Sequence, residues 1–225
     1  MPNTLRDFTE MQRDAIEAAV ADAESRTHAE IVVAVAPRSG RYDRAEDIFG
    51  VILALIAVTV AWLTFQRLVP STRDWSSGIE PTMNLVAVLA LFAFWFAAGA
   101  ALATRFPALA RPLILRSEME EEVRRSGTVT FVNLRVGSTA DRAAILIYVS
   151  LFEHLVWVCP DDAVAAKIPD DAWKPLAEEI AIGFRNGRGP EALAEGVRKA
   201  GEILAEHFPP SPEDTSELPN EVRSA

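Results

Sequence analysis

The sequence predicts an α/β protein, a layered α/β/α arrangement interrupted by a two-helix transmembrane hairpin. Three observations predict it. Ile48–Phe65 and Leu85–Ala103 are uncharged apolar runs of 18 and 19 residues. At about 1.5 Å per residue, each makes a helix close to the thickness of a bilayer's hydrocarbon core. Two compact strand-like runs, Glu30–Ala36 and Ala143–Leu151, lie on opposite sides of that hairpin. Amphipathic helical patterns flank both runs, so helices can cover a sheet on its two faces. Residues 1–45 and 115–208 then form two parts of one soluble domain, residues 46–108 the hairpin, and residues 209–225 a disordered acidic, proline-rich tail.

At the amino end, Thr9 with Gln12 three residues on reads as a capping box. Phe8, Met11, Ala15, Ala19 and Ala23 follow at helical spacing, which predicts an amphipathic helix ending near Ser25. Glu30–Ala36 is β-branched, apolar on both faces and stopped by Pro37, the pattern of a fully covered strand. A core helix usually keeps a polar stripe, whereas only Thr59 and Thr64 break the first apolar run, so a membrane span is the better reading. After the hairpin, Ser117–Arg125 carries Glu121 and Arg125 at helical spacing, while Thr128–Leu134 is β-branched and argues for a strand. Those two readings conflict. Ala143–Leu151 is the strongest strand signal, and Leu155–Cys159 its hairpin partner across Phe152–His154. Asp170 or Asp171 is expected to cap a helix carrying Trp173, Leu176, Ile180 and Phe184 and stopped by Gly187. Pro190 starts another, with Leu193, Val197, Ala200 and Leu204 on one face.

A net charge of -10 argues against nucleic acid as a partner. The single cysteine, Cys159, excludes an internal disulfide and a zinc-ligand cluster, and its apolar surroundings suit a packed residue. Met1–Asp7 lacks the pattern of a signal peptide, so the first span is expected to direct insertion itself. Arg38, Arg41, Arg44, Arg105, Arg111 and Arg116 flank the outer ends of the hairpin, against Arg67 and Arg73 in its connecting loop. The positive-inside rule then places the protein in the cell inner membrane with both termini and the soluble domain in the cytoplasm. Trp62 and Trp75 are expected interface anchors.

Three stretches carry a family resemblance: the run from Ala21 to Val35 (Ala-Asp-Ala-Glu-Ser-Arg-Thr-His-Ala-Glu-Ile-Val-Val-Ala-Val), the run from Thr139 to His154, and Ile182–Gly187 followed by Glu195–Lys199. In these the chain resembles the TPM domain family, named for thylakoid lumen, photosystem repair and receptor-modulator proteins. The resemblance implies an α/β/α sandwich with a small mixed sheet, and it decides for helix over Ser117–Leu134. It departs from secreted relatives after the second hairpin strand, where Cys159-Pro160-Asp161-Asp162 stands in place of a Gly-Tyr-Gly-like turn. It also implies a divalent cation in some relatives and phosphatase activity in others.

No phosphate-binding loop, Gly-x-Ser-x-Gly elbow or cysteine-phosphatase loop is present, and no catalytic residue or small-molecule substrate is assigned. Asp141, Asp161, Asp162 and Glu30 stand at strand ends and offer oxygen ligands of the kind calcium or magnesium takes. A purely local reading competes: Asp141 as a turn residue, Asp162 as a helix cap, Glu30 as a strand-edge charge. Glu153 and His154 share the strand hairpin's turn, with His154 a ligand, a base or a solvated turn residue, and Arg142 either pairs with a carboxylate or holds an anion. These features point to a membrane-anchored TPM-like domain acting as a non-catalytic accessory, assembly or repair subunit of an integral membrane protein complex, with calcium or magnesium as its one candidate cofactor. The alternative is a metal-dependent acid phosphatase. A transporter is disfavoured, because neither span holds an ionisable residue.

Overall fold

The computed structural model describes residues 8–65, 67–68, 79–80, 84–139, 141–210 and 218–225. The chain divides into two compact units, residues 1–40 with 117–225, and residues 41–116.

The first unit begins with α1 (Glu10–Glu24), closed by the expected capping box: Gln12 N donates to Thr9 Oγ1 and Thr9 N to Gln12 Oε1. Its buried stripe is Ile16, Ala19, Val20 and Ala23. Met11 and Ala15, expected on that stripe, are exposed instead. The stripe turns on Ile16 and Val20, whose larger side chains gain more from burial than alanines one position away. β1 (Glu30–Ala36) is buried throughout. It pairs in parallel with β4 (Ala144–Ser150), from Glu30 opposite Ala144 to Ala36 opposite Ser150. β5 (Leu155–Pro160) returns antiparallel to β4. The strand order is β5-β4-β1-β6, a mixed sheet, where β6 is the two-residue segment Arg223–Ser224 lying parallel to β1.

Alternation along β1 and β4 divides their side chains between two faces. Ile31, Val33, Val35, Ile145, Ile147 and Val149 pack with residues of α1, α6 (Lys174–Arg185) and α7 (Gly189–His207). Val32, Ala34, Ala36, Ala144, Leu146 and Tyr148 face Val123 of α4 (Arg116–Asn133), with Phe131, Trp157 and Leu218 against them. This is the expected α/β/α sandwich. α4 is helical through residues 128–133 of the β-branched stretch, because Gly127 lets it lie against Trp157 and Tyr148: an added Cβ would come within 2.8 Å of Trp157 Cζ3. Val129 and Val132 are exposed, so part of the β-branched signal comes from positions that no sheet covers.

Three expectations need correction. Neither Asp170 nor Asp171 caps α6. They lie in a 3-10 turn, Asp170–Ala172, and Trp173 occupies the cap position, where its ring is buried. A short helix, α5 (Asp162–Lys167), follows β5, and its cap is Asp161, not Asp162. The tail is also ordered at its end. Val222 is buried, Ala225 N donates to Val35 O, and β6 extends the sheet, because the edge of β1 offers unpaired backbone groups that local composition cannot reveal. Residues 211–217 lie outside the described residues.

The second unit is the hairpin, α2 (Asp43–Phe65) with α3 (Leu85–Arg105). Both helices are long and apolar enough to cross a bilayer, and only 11% and 6% of their apolar windows is buried, unlike the core helices of a soluble protein. They touch backbone to backbone at Gly50 and Gly99: a Cβ on Gly50 would lie 2.8 Å from Phe96 O. Beside that contact Ala54 and Ala103 are buried, so the small residues pack the hairpin internally. Thr104 Oγ1 donates to Glu46 Oε2 at 2.6 Å and ties the open end together. Of the loop, only Asn84 and the antiparallel pairing of β2 (Arg67–Leu68) with β3 (Ile79–Glu80) are described. Arg73 and Trp75 lie outside the described residues.

Candidate functional site

The sheet offers two ends, and they differ in chemistry. In the parallel pair β1–β4 the carboxyl-terminal end is where open α/β sheets commonly place a ligand. Here Tyr148 and Ser150 close β4, and the chain leaving β1 passes over them. Ser39 Oγ donates to Ser150 Oγ at 2.7 Å, and Ser150 Oγ donates through a short hydrogen bond to Glu153 Oε2. Glu153 Oε1 accepts from the backbone N–H of Ser39 at 3.0 Å and of Gly40 at 3.4 Å. The Tyr148 hydroxyl lies 3.1 Å from Ser39 Oγ and 2.9 Å from Ser126 Oγ of α4. One proton order satisfies the whole chain, with Tyr148 donating to Ser39 and accepting from Ser126. Glu153 is 3% exposed and Ser150 fully buried. A buried carboxylate accepting several hydrogen bonds is well satisfied. This arrangement pins the end of β1 at the start of the chain into the hairpin. It has the hydroxyls of a nucleophilic site, but their bonds are spent on one another.

The amino-terminal end of β1 and β4 gathers the expected acids. Ile145 lies opposite Pro160, so Asp161 leaves β5 beside the start of β4, where Asp141 precedes it. Asp161 is buried; its Oδ1 accepts from Asp162 N at 2.8 Å, and its Oδ2 has no hydrogen-bond partner among the described residues. Asp162 is exposed and its Oδ2 accepts from Arg142 Nη1 at 2.6 Å, a solvated pair that contributes little. Asp141 is exposed. Glu30 is buried at the start of β1 and pairs with Glu24 at the end of α1. Glu24 Oε1 accepts from Ile31 N at 3.0 Å. Burial pushes the Glu24 carboxyl up to about 8, and the charge of Glu30 adds to the rise. Asn220 in the carboxyl-terminal segment hydrogen-bonds the same carboxyl.

Thus Glu30, Asp141, Arg142, Asp161 and Asp162 share one end of the sheet, while Glu153 and His154 stand at the other. His154 holds a left-handed backbone (φ 53°) in the β4–β5 turn, as Arg142 does (φ 51°) just before β4. Among the described residues, no three Asp, Glu, His or Cys side chains converge on a point where they could hold a metal ion. The acids therefore do not form a ready cation cage. Sequence reasoning missed Glu24, Ser39, Ser126, Tyr148 and Ser150. A signal for two of them was available, since Tyr148 and Ser150 are polar groups in an otherwise apolar strand and must find partners when buried. Burial pushes the Cys159 thiol up to about 11, with Asp161 and Asp170 adding to the rise, so it is a packed neutral group on β5.

A four-stranded mixed sheet between helix layers defines an α/β/α sandwich domain. Residues 100–203 match the family model of the TPM domain. No curated protein matches the chain. Among solved structures it is similar to the BA42 protein of the psychrophilic bacterium Bizionia argentinensis, determined by NMR. The identity is 20%, the match covers 96% of this chain and 94% of that one, and the TM-score is 0.55. At that identity the likeness is one of fold.

Proposed function

We propose that this chain is a membrane-anchored TPM domain that serves as a non-catalytic accessory subunit, assisting assembly or repair of an integral membrane protein complex. The observation that carries this reading is the insertion of the hairpin within the domain. α2 and α3 leave the chain between β1 and α4, so the sheet is built from segments on both sides of the hairpin. An anchor at a terminus would tether the domain by one linker, whereas an anchor inside the fold joins it by two, one leaving β1 and one entering α4. The arginine distribution supports both termini on the cytoplasmic side of the inner membrane. The spent hydroxyls around Ser39 and Ser150 support a scaffold role over turnover.

A divalent cation belongs to the proposal through Asp161, whose Oδ2 is buried without a hydrogen-bond partner among the described residues. Binding requires Asp141 and Asp162 to turn inwards. The test is thermal unfolding of the purified protein in rising calcium or magnesium. A saturable increase, about 2.7 kcal/mol at a hundred times the dissociation constant, lost in Asp161→Asn, is expected. Asn keeps the helix cap, so the loss reports the ligand. A flat response returns Asp161 to its capping role alone. Hydrolysis of a generic phosphate ester is expected to stay at background throughout. Metal-dependent hydrolysis abolished in Asp161→Asn would replace this reading with a phosphatase.

A further inference from the structure

We propose that the outer edge of β5 is a pairing surface for a second copy of this chain, with the two β5 strands running antiparallel and joining their sheets. The proposal stands apart from the cation and accessory readings above. β5 ends the strand order β5-β4-β1-β6, so it is paired on one side alone. The direction of its backbone groups follows from the ladder. Asp161 N donates to Ala144 O, and this pair continues the register in which Cys159 faces Leu146 and Trp157 faces Tyr148. Alternate residues of an antiparallel pair exchange both bonds with the partner strand. Leu155, Trp157 and Cys159 therefore bond inwards to β4, and the N–H and C=O groups of Val156 and Val158 point outwards. Nothing among the described residues hydrogen-bonds those outward groups. Val158 is only 5% exposed, so its two groups meet little water either. Buried backbone groups left unpaired are costly, and a strand laid along this edge relieves that cost.

The strand lacks the usual defences of an edge. Proteins protect such edges with charged side chains, bulges or a covering segment. Leu-Val-Trp-Val-Cys-Pro holds no charge, and its register with β4 is unbroken. Pro160, at an outward position without a donor, ends the row. The opposite edge of the sheet, on β1, is covered by β6. A second copy fits the open row by symmetry. With the two-fold axis at Trp157, Val156 of each copy lies opposite Val158 of the other, and every outward group of both residues finds its complement. The ends also match in charge. Asp161 and Asp170 act on Cys159 more strongly than Arg124 does, and Lys174, near Asp170, is paired with Asp171 at 2.6 Å. At the turn before β5, Glu153 is bonded to Ser39, Gly40 and Ser150, and Arg38 lies 5.0 Å from the centre of the Phe152 ring. Antiparallel pairing sets the acidic end of each strand beside the basic end of the other.

The experiment uses the purified full chain in detergent micelles, with sedimentation and mild copper-catalysed oxidation as readouts. In this register residue 155 of one copy lies opposite Cys159 of the other in a non-hydrogen-bonded pair, with Cα atoms about 4.5 Å apart, a separation that a disulfide spans. Within one copy the same two positions are about 13 Å apart along the strand and cannot join. Leu155→Cys is therefore expected to give a covalent dimer about tenfold more readily than the parent, and adding Cys159→Ala should abolish it. Val156→Pro removes one outward donor and spares the ladder to β4, so in the Leu155→Cys background it should cut the cross-link about fivefold. Should that variant unfold, the Cys159→Ala comparison still decides the register. A parent that sediments as a monomer at every concentration overturns the proposal. So does a dimer in which Leu155→Cys cross-links no more than the parent, because assembly would then use another surface, and so does a cross-link that survives Cys159→Ala.

Discussion

Glu24 and Glu30 bring two carboxyls together in a place water scarcely reaches. Only one can carry charge comfortably, and burial raises Glu24 from its ordinary 4.5 to about 8. A carboxyl whose folded pKa exceeds its unfolded value holds a proton in the fold that it loses in the unfolded chain. Its contribution is complete below about pH 4.5 and fades as the pH rises through about 8. At about 1.4 kcal/mol per unit, half of this shift, discounted for the partial exposure of Glu24, amounts to on the order of 2 kcal/mol. Glu24→Gln keeps an acceptor for Ile31 N and a donor for Glu30 but does not titrate. The variant's melting temperature should match the parent's near pH 4.5 and exceed it by several degrees at pH 9. Parallel curves for the two proteins across that range would show that the pair does not share a proton. The pairing was hidden in the sequence because it depends on how the five-residue loop from Ser25 to Ala29 folds back.

At the scale of elements, the strands were legible and the edges were not. β1 and β4 announce themselves as apolar on both faces because both faces are covered, by α1, α6 and α7 on one side and α4 on the other. The β4–β5 hairpin follows from short loop length. α4 carried conflicting signals, and propensity yielded to packing at Gly127 against Trp157. The carboxyl-terminal segment was illegible for a different reason. Proline, serine and acids describe how 209–225 behaves alone, whereas its order comes from β1, which lends an unpaired edge, and from Val222 and Asn220, which reach the domain. Burying a valine side chain is worth roughly 1.5–3 kcal/mol. Val222→Asp should therefore destabilise the protein by about 2 kcal/mol, and deletion of residues 218–225 by at least as much. Hydrogen exchange should quicken along the edge of β1 that faces β6 in both variants, and at Ala225 in Val222→Asp. A deletion that leaves stability and exchange unchanged would detach this segment from the domain.

At the scale of the whole molecule, the chain leaves one sheet at Gly40, forms a second compact unit and returns at Ser117. β1 is an interior strand, hydrogen-bonded to β4 along seven residue pairs and to β6 on its other side. Removing residues 1–40 would expose an edge of β4 and strip the partners from Ile145, Ile147 and Val149, so that fragment should not fold cooperatively. Removing the hairpin instead should be tolerated, because the two ends it joins already lie close. A Cβ placed on Gly40 would sit 2.7 Å from Glu122 Cγ, and Glu122 is only five residues into the helix beyond Ser117. At about 1.5 Å of rise per helical residue, the gap is on the order of 10 Å. A linker of about six glycine and serine residues spans up to roughly 20 Å. A protein in which such a linker replaces residues 41–116 should be soluble, with a single cooperative transition and slow exchange at Val33 and Ile147. The same chain without residues 1–40 should show neither the transition nor the protection. If the truncated form proved as cooperative as the linked one, β1 would be an accessory to the sheet, and the hairpin would have no structural reason to lie inside the domain.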